Sequence, residues 1–558
     1  MPSPGAVLAA LLALFVPVSV VARQPIRERK AMVVAQEPLA TDVGVAVLKA
    51  GGNAVDAAVA VAFALAVTHP SAGNLGGGGF LLLRKADGTA TFIDFRERAP
   101  ESASRDMYLD REGNLTRDSV VGWRAAGVPG TVRGLEYAHR KYGRRKWAEL
   151  LAPAIQLARD GFPVSYALAS SLRSSGDLLE QFPESKRIFL KGGAYFEPGD
   201  RLVQPELART LQRIAKAGAR DFYEGETARL LAAAMKEHGG LITLEDLKHY
   251  TVAERKPLTG RYKGYDIIAA PPPSSGGIGI LQMLGMLEDS GYEKHGAGSA
   301  AAIHYVAEAM RRYYADRSQY LADPDFFRVP VSGLLSRDYI AKLRGTIDPQ
   351  RATPSEQVRP GNPGAYESAA TTHFSIVDPE GNAVALTYTI NGSYGSGVTV
   401  PGLGFLLNNE MDDFAAKPGT PNMFGLVQGE ANAIQPRKRP LSSMTPTIVL
   451  RDGKLFMVLG APGGSRIITG VLQVMLNVID FGMNIQEAVD QPRFHHQWMP
   501  DTLSLERGFS PDTMALLKER GHTIGKISNV ALVEAILIQD GWLQGASDGR
   551  ASGKAAGF

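Results

Sequence analysis

The chain has 558 residues, 44% of them apolar and 21% charged, which is enough to bury a large core and, at about 150 residues per domain, to form several domains. Lys and Arg total 60 against 57 Asp and Glu, so the formal charge of +3 gives no whole-chain reason to expect nucleic acid. There is no cysteine, which excludes disulfides, thiolate catalysis and Cys-ligated metals.

Ala6 to Ala22 is almost wholly apolar, too short and Pro-interrupted for a spanning helix, and Val20-Val21-Ala22 offers small residues ahead of a cut. Residues 1–22 therefore read as a signal peptide, and the mature protein as periplasmic or secreted with no membrane span. Ala54 to Val67, with only Asp56 charged, predicts a buried helix. Gly73-Asn74-Leu75-Gly76-Gly77-Gly78-Gly79 and a short apolar run, Phe80 to Leu83, come next. The glycines are not followed by the Lys-Ser/Thr of a phosphate loop, so they read as a place where backbones approach closely. Helices are predicted over Trp147 to Asp160, Pro205 to Ala217 and Ala300 to Leu321, and Thr243 opens a capped turn with Asp246. Pro271 to Gly277 is a loop.

Val358 to Ala370 is rich in Pro, Gly, Ser and Ala without apolar periodicity, and reads as an exposed or mobile linker. Directly after it, Thr371 to Val377 and Ala383 to Ile390 are strand-like, joined by a turn at Asp378-Pro379-Glu380-Gly381-Asn382. Two further patterns carry no chemistry. Gly545-Ala546-Ser547-Asp548-Gly549 matches a nucleophile elbow, but no histidine follows it. His495-His496 are adjacent, lack metal-ligand spacing and read as structural.

A threonine hydroxyl is a poor nucleophile unless a base takes its proton. Cutting the peptide bond before a strand-initial threonine frees its own α-amino group, whose reference pKa is about 7.7–8.0, for that task. Taken alone, a Thr-Thr pair at a strand start is ordinary β-propensity.

The surrounding motifs change that reading. Thr371-Thr372-His373-Phe374-Ser375-Ile376-Val377-Asp378, Leu407-Asn408-Asn409-Glu410-Met411-Asp412-Asp413-Phe414, Lys438-Arg439-Pro440-Leu441-Ser442-Ser443-Met444 and Pro462-Gly463-Gly464-Ser465-Arg466 resemble a γ-glutamyltranspeptidase small subunit. Gly51-Gly52-Asn53-Ala54-Val55-Asp56, Gly76 to Phe80, Asp94-Phe95-Arg96-Glu97, Gly127-Val128-Pro129-Gly130, Pro271 to Gly277 and Ala315-Asp316-Arg317 extend the resemblance through the large subunit.

The resemblance implies an α+β fold, the four-layer αββα sandwich of N-terminal nucleophile hydrolases. It implies a precursor cut between Ala370 and Thr371 into a large subunit, 23–370, and a small one, 371–558, held together without covalent bonds. Thr371 is then the nucleophile, and Thr389 hydrogen-bonds its hydroxyl and amino region. Gly463 and Gly464 present N–H groups to the oxyanion. Arg96, Ser442 and Ser443 take the donor's α-carboxylate, while Glu410, Asp413 and Asn391 take its α-ammonium. Asp412 is assigned to the solvated surface. Pro418 to Gly429 matches a lid, with Phe424 where lidded relatives often carry Tyr, so a hydroxyl latch is not expected.

No metal or organic cofactor is implied. The expected partners are small γ-glutamyl donors such as glutathione and amino-acid or peptide acceptors, not nucleic acid. Two alternatives are a glutaryl-type β-lactam acylase of the same family and a non-catalytic periplasmic binder of glutamyl peptides. The acylase donor has no α-ammonium, and the binder needs no cut before Thr371.

Overall fold

The computed structural model describes residues 23–361, 372–527 and 529–558. Two seven-stranded sheets, antiparallel at every pairing, face one another. The first runs in the order Lys554–Gly557, Met32–Ala35, Thr372–Val377, Ala383–Thr389, Gly78–Arg84, Ala90–Phe95 and Ala253–Arg255. The second runs Ile26–Glu28, Trp542–Ser547, Glu534–Gln539, Lys454–Gly460, Thr447–Arg451, Tyr265–Ala269 and Leu258–Tyr262.

Alternate side chains of a strand point to opposite faces, and this sorts the core into layers. Phe80 and Leu82 point between the sheets with Phe92, Ile268, Ile448, Val458 and Ile536. Leu81 and Leu83 point outward into the core shared with the helix Ala54–Thr68. Every residue of that helix is buried, and a capping box of Asn53 with Asp56 starts it. Gly276–Leu287, Ala300–Tyr320 and Arg466–Ile479 cover the outer face of the second sheet. The result is the four-layer αββα order.

The predicted hairpin forms with Thr372 opposite Tyr388 and Val377 opposite Ala383. Asp378 shapes its turn by accepting from the amides of Glu380 (2.9 Å) and Asn382 (3.0 Å). Both hairpin strands lie in mid-sheet, between Met32–Ala35 on one side and Gly78–Arg84 on the other. The glycine run does what close backbone approach requires: a Cβ on Gly77 would lie 1.9 Å from the Thr389 carbonyl oxygen, and one on Gly79 2.4 Å from Tyr388 Cβ. The capped turn forms as read, with Thr243 and Asp246 closing a reciprocal box on Leu244–Lys248. The elbow-like match at Ser547 lies on a strand, Trp542–Ser547.

The front of the linker differs from the exposed segment its composition suggested. Val358 is buried, and Trp498 Nε1 donates to the carbonyls of Ser355 (2.9 Å) and Val358 (3.0 Å). Gly361 donates to Asp316 Oδ1 at 2.9 Å, and its carbonyl accepts from the Tyr320 hydroxyl. Distant groups thus fix a stretch that has no apolar pattern of its own. Its continuation, with Ala370 and Thr371, lies outside the described residues.

Candidate active site

Thr372 is the first described residue of its strand, and its hydroxyl donates to Gln36 Oε1 at 2.7 Å. Across the hairpin Thr389 is buried, and its Oγ1 accepts the amide of Asn391 at 2.7 Å. The Thr389 hydroxyl proton has no acceptor among the described residues. Its carbonyl accepts from Asn74 Nδ2 at 2.9 Å, so the loop before the glycine run braces this strand end. Asn391 adopts a left-handed φ of 71°, which Asn tolerates better than most residues, and its Nδ2 donates to the Asn409 carbonyl at 2.9 Å.

A short 3₁₀ turn, Glu410–Asp413, carries the acidic residues, all of them buried. Arg96, at the end of Ala90–Phe95, is fully buried and reaches this turn. Its Nη1 pairs with Glu410 and, at 3.5 Å, with Glu97, while its Nη2 pairs with Asp413. Its Nε and Nη2 donate to the carbonyls of Pro440 and Leu441, both at 3.1 Å. Three carboxyl groups therefore surround one guanidinium. Burial, followed by repulsion from Glu410, pushes the carboxyls of Glu97 and Asp413 well above the usual range.

The next two residues are Ser442 and Ser443, both buried. Ser442 Oγ accepts the Met444 amide at 3.1 Å, and Ser443 Oγ accepts from Arg317 Nη2. Neither hydroxyl proton has an acceptor among the described residues. Three buried acceptors nearby also lack donors there: Asn391 Oδ1, Glu410 Oε2 and Asp413 Oδ1.

Gly463 and Gly464 have φ of 143° and 63° and precede the helix Arg466–Ile479. Neither amide donates within the described residues, so two N–H groups are left at the positive end of a helix. Tyr314 donates to the Ser465 carbonyl and stacks beneath Arg317, with 5.3 Å from the guanidinium carbon to the ring centre. This links the glycine turn to Ser443 and thence to Arg96. The ring of Phe424 closes the circuit, 3.1 Å from where a Cβ on Gly464 would lie.

All the described candidates thus converge: Arg96, Thr389, Asn391, Glu410, Asp413, Phe424, Ser442, Ser443, Gly463 and Gly464. Asp412 is a correction. It is buried, accepts from Ser119 Oγ (3.3 Å) and from the lid amide of Met423 (3.2 Å), and burial raises its pKa to about 6. The 418–429 segment is held here by a backbone amide, that of Met423 on Asp412, and Phe424 brings no hydroxyl to it. Arg317 and Glu97 stood within quoted motifs but drew no role. Both are buried charges, and only the fold reveals their neighbours. His495 and His496 are structural as read: His496 Nε2 meets Asp501 Oδ1 at 3.1 Å, and burial lowers the pKa of His495 to about 3.

Residues 40–558 match the family model described as Gamma-glutamyltranspeptidase. The chain is 52% identical over 529 residues to a glutathione hydrolase proenzyme of Escherichia coli (strain K12), covering 94% of this chain and 91% of that one. Among solved structures it is similar to cephalosporin acylase from Bacillus halodurans, with a TM-score of 0.87, 29% identity and coverage of 98% and 99%. It is also similar to the γ-glutamyltranspeptidase of Helicobacter pylori, with a TM-score of 0.58, 46% identity and coverage of 59% of this chain and 94% of that one.

Proposed function

Because the chain belongs to the γ-glutamyltranspeptidase family, we propose that it is a self-processing enzyme that cleaves the γ-glutamyl amide of glutathione and related donors. One observation carries the choice of donor. The polar atoms left unmatched in this buried cluster complement the α-carbon substituents of an amino acid. The hydroxyl protons of Ser442 and Ser443 suit the two oxygens of a carboxylate. Asn391 Oδ1, Glu410 Oε2 and Asp413 Oδ1 suit the three N–H bonds of an ammonium. Arg96 draws the carboxylate to one side, and the excess of carboxyl groups around it draws the ammonium to the other.

In this reading the Ala370–Thr371 bond is cut first, giving subunits 23–370 and 371–558. They stay together because the Thr372–Val377 and Ala383–Thr389 strands lie between large-subunit strands in one sheet. The Thr371 hydroxyl attacks the γ-carbonyl and passes its proton to its own α-amine. Thr389, whose hydroxyl proton has no acceptor among the described residues, orients the nucleophile. The amides of Gly463 and Gly464 hold the oxyanion, and such donors contribute about 3–4 kcal/mol each to the transition state. The departing amine takes the proton. Water or an acceptor amine then attacks the γ-glutamyl ester, which frees Thr371. No helix among the described residues is long and apolar enough to cross a membrane, and with the leader-like residues 1–22 we place the enzyme in the periplasm or outside the cell.

The likeness to a cephalosporin acylase supports a second reading, in which the donor is a glutaryl amide without the ammonium. That donor would leave all three acceptors unmatched, and each buried orphan costs about 1–3 kcal/mol. A γ-glutamyl anilide should therefore exceed its glutaryl counterpart in kcat/KM by about a hundredfold or more. Equal rates, or a preference for the glutaryl donor, would favour the acylase.

A further inference from the structure

We propose that Gln497, outside every motif above, is the positioning residue that latches the 418–429 segment over the Gly463–Gly464 turn. The tip of that segment is a self-bonded turn. Asn422 Oδ1 accepts the amides of Phe424 (3.0 Å) and Leu426 (3.2 Å), and the Asn422 amide donates to the Leu426 carbonyl at 3.0 Å. Such a turn moves as a unit, so its position is set by what holds it from outside. On one side the Met423 amide is tied to Asp412. On the other, Gln497 Nε2 donates to the Phe424 carbonyl at 3.2 Å and to the Met499 carbonyl at 3.3 Å.

The orientation of the Gln497 amide is dictated by its neighbours. Its Oε1 receives the Ser465 hydroxyl at 2.8 Å and lies 2.9 Å from His495 Nε2. His495 Nδ1 lies 2.9 Å from Thr469 Oγ1, whose own proton is directed to the Arg466 carbonyl at 3.0 Å. The carbonyls of Phe424 and Met499 can meet only a donor, and the Ser465 hydroxyl finds its acceptor in Oε1, so the NH₂ group faces the lid. Ser465 directly follows Gly464, so one side chain couples the lid's height to the turn that carries the two unmatched amides. Where a tyrosine hydroxyl could have served as the fastener, this chain has Phe424 and ties the neighbouring backbone instead.

Gln497→Glu is the discriminating variant. It keeps the shape and an acceptor for Ser465, but sets a carboxylate oxygen against the Phe424 carbonyl. Gln497→Ala removes the tie altogether. Hydrogen exchange at the Met423 to Leu426 amides, read by mass spectrometry, should speed up about two- to tenfold in both variants. Exchange in the Glu variant at the parent rate would overturn the latch, because a packing role alone would spare that isosteric change. The kinetic arm rests on the donor-pocket reading above: KM for a γ-glutamyl donor should rise by the same factor with kcat little changed, as expected when fewer molecules hold the closed form. Faster exchange with an unchanged KM would uphold the latch and count instead against the pocket assignment. Self-cleavage of both variants, seen on a gel, reports that they have folded.

Discussion

Thr371→Ala is expected to accumulate as one uncut chain and to lose turnover of γ-glutamyl amides by about 10⁴-fold or more, the usual cost of deleting a nucleophile. The fold should survive. The hairpin Thr372–Val377 and Ala383–Thr389 is held by ladders on both sides. A gel and a melting curve of the variant check the two halves of this statement. Efficient cleavage at the same bond in Thr371→Ala would remove Thr371 from self-processing.

The second large effect belongs to Asp413. Its Oδ2 pairs with Arg96, while its Oδ1 is one of the three unmatched acceptors. Burial and Glu410 hold the Asp413 carboxyl above its usual range, and in the proposed pocket a bound ammonium would draw it into its charged form. Asp413→Asn keeps the size and one acceptor oxygen but cannot take that charge. A hydrogen bond to a charged group is worth about 1.5–3 kcal/mol, so KM for a γ-glutamyl donor should rise roughly ten- to a hundredfold. A deaminated donor should be nearly indifferent to the change, having nothing for Asp413 to hold. Alanine is a poorer probe, because it also strips Arg96 of a partner, and breaking a buried pair costs about 3–5 kcal/mol by itself. Equal losses for both donors in Asp413→Asn would end the ammonium role.

Much of the architecture was legible from local chemistry. The helices at Trp147–Asp160 and Pro205–Ala217 follow their apolar periodicity, and the hairpin after residue 371 follows alternation around a turn rich in Asp, Gly and Asn. The glycine run was legible too, because lost side chains mean close backbones. What resisted were features decided by partners far away in the chain. Asp412 read as a surface acid because most acids are solvated, yet the lid and Ser119 bury it. The stretch up to Gly361 read as free because nothing in its composition announces Trp498 or Asp316.

The site shows the same division. Motif resemblance located Arg96, Asp413 and the two serines, but not which of their atoms remain unmatched among the described residues, and the proposed choice of donor rests on those atoms. Arg96 read as a fork awaiting a carboxylate, whereas it already holds Glu410 and Asp413. The donor carboxylate must compete there, most readily with the 3.5 Å contact to Glu97. Gln497 was passed over for a plain reason: an amide beside two histidines has no distinctive spacing, and its role depends on which carbonyl the lid brings to it.

The most direct test of the account is the intact mass of the smaller chain, measured before and after an acid quench with a slow γ-glutamyl donor. The account predicts a chain that begins at Thr371 and gains one γ-glutamyl group at that first residue. An active enzyme that remains uncut, or one that carries the acyl group on any other residue, would contradict it.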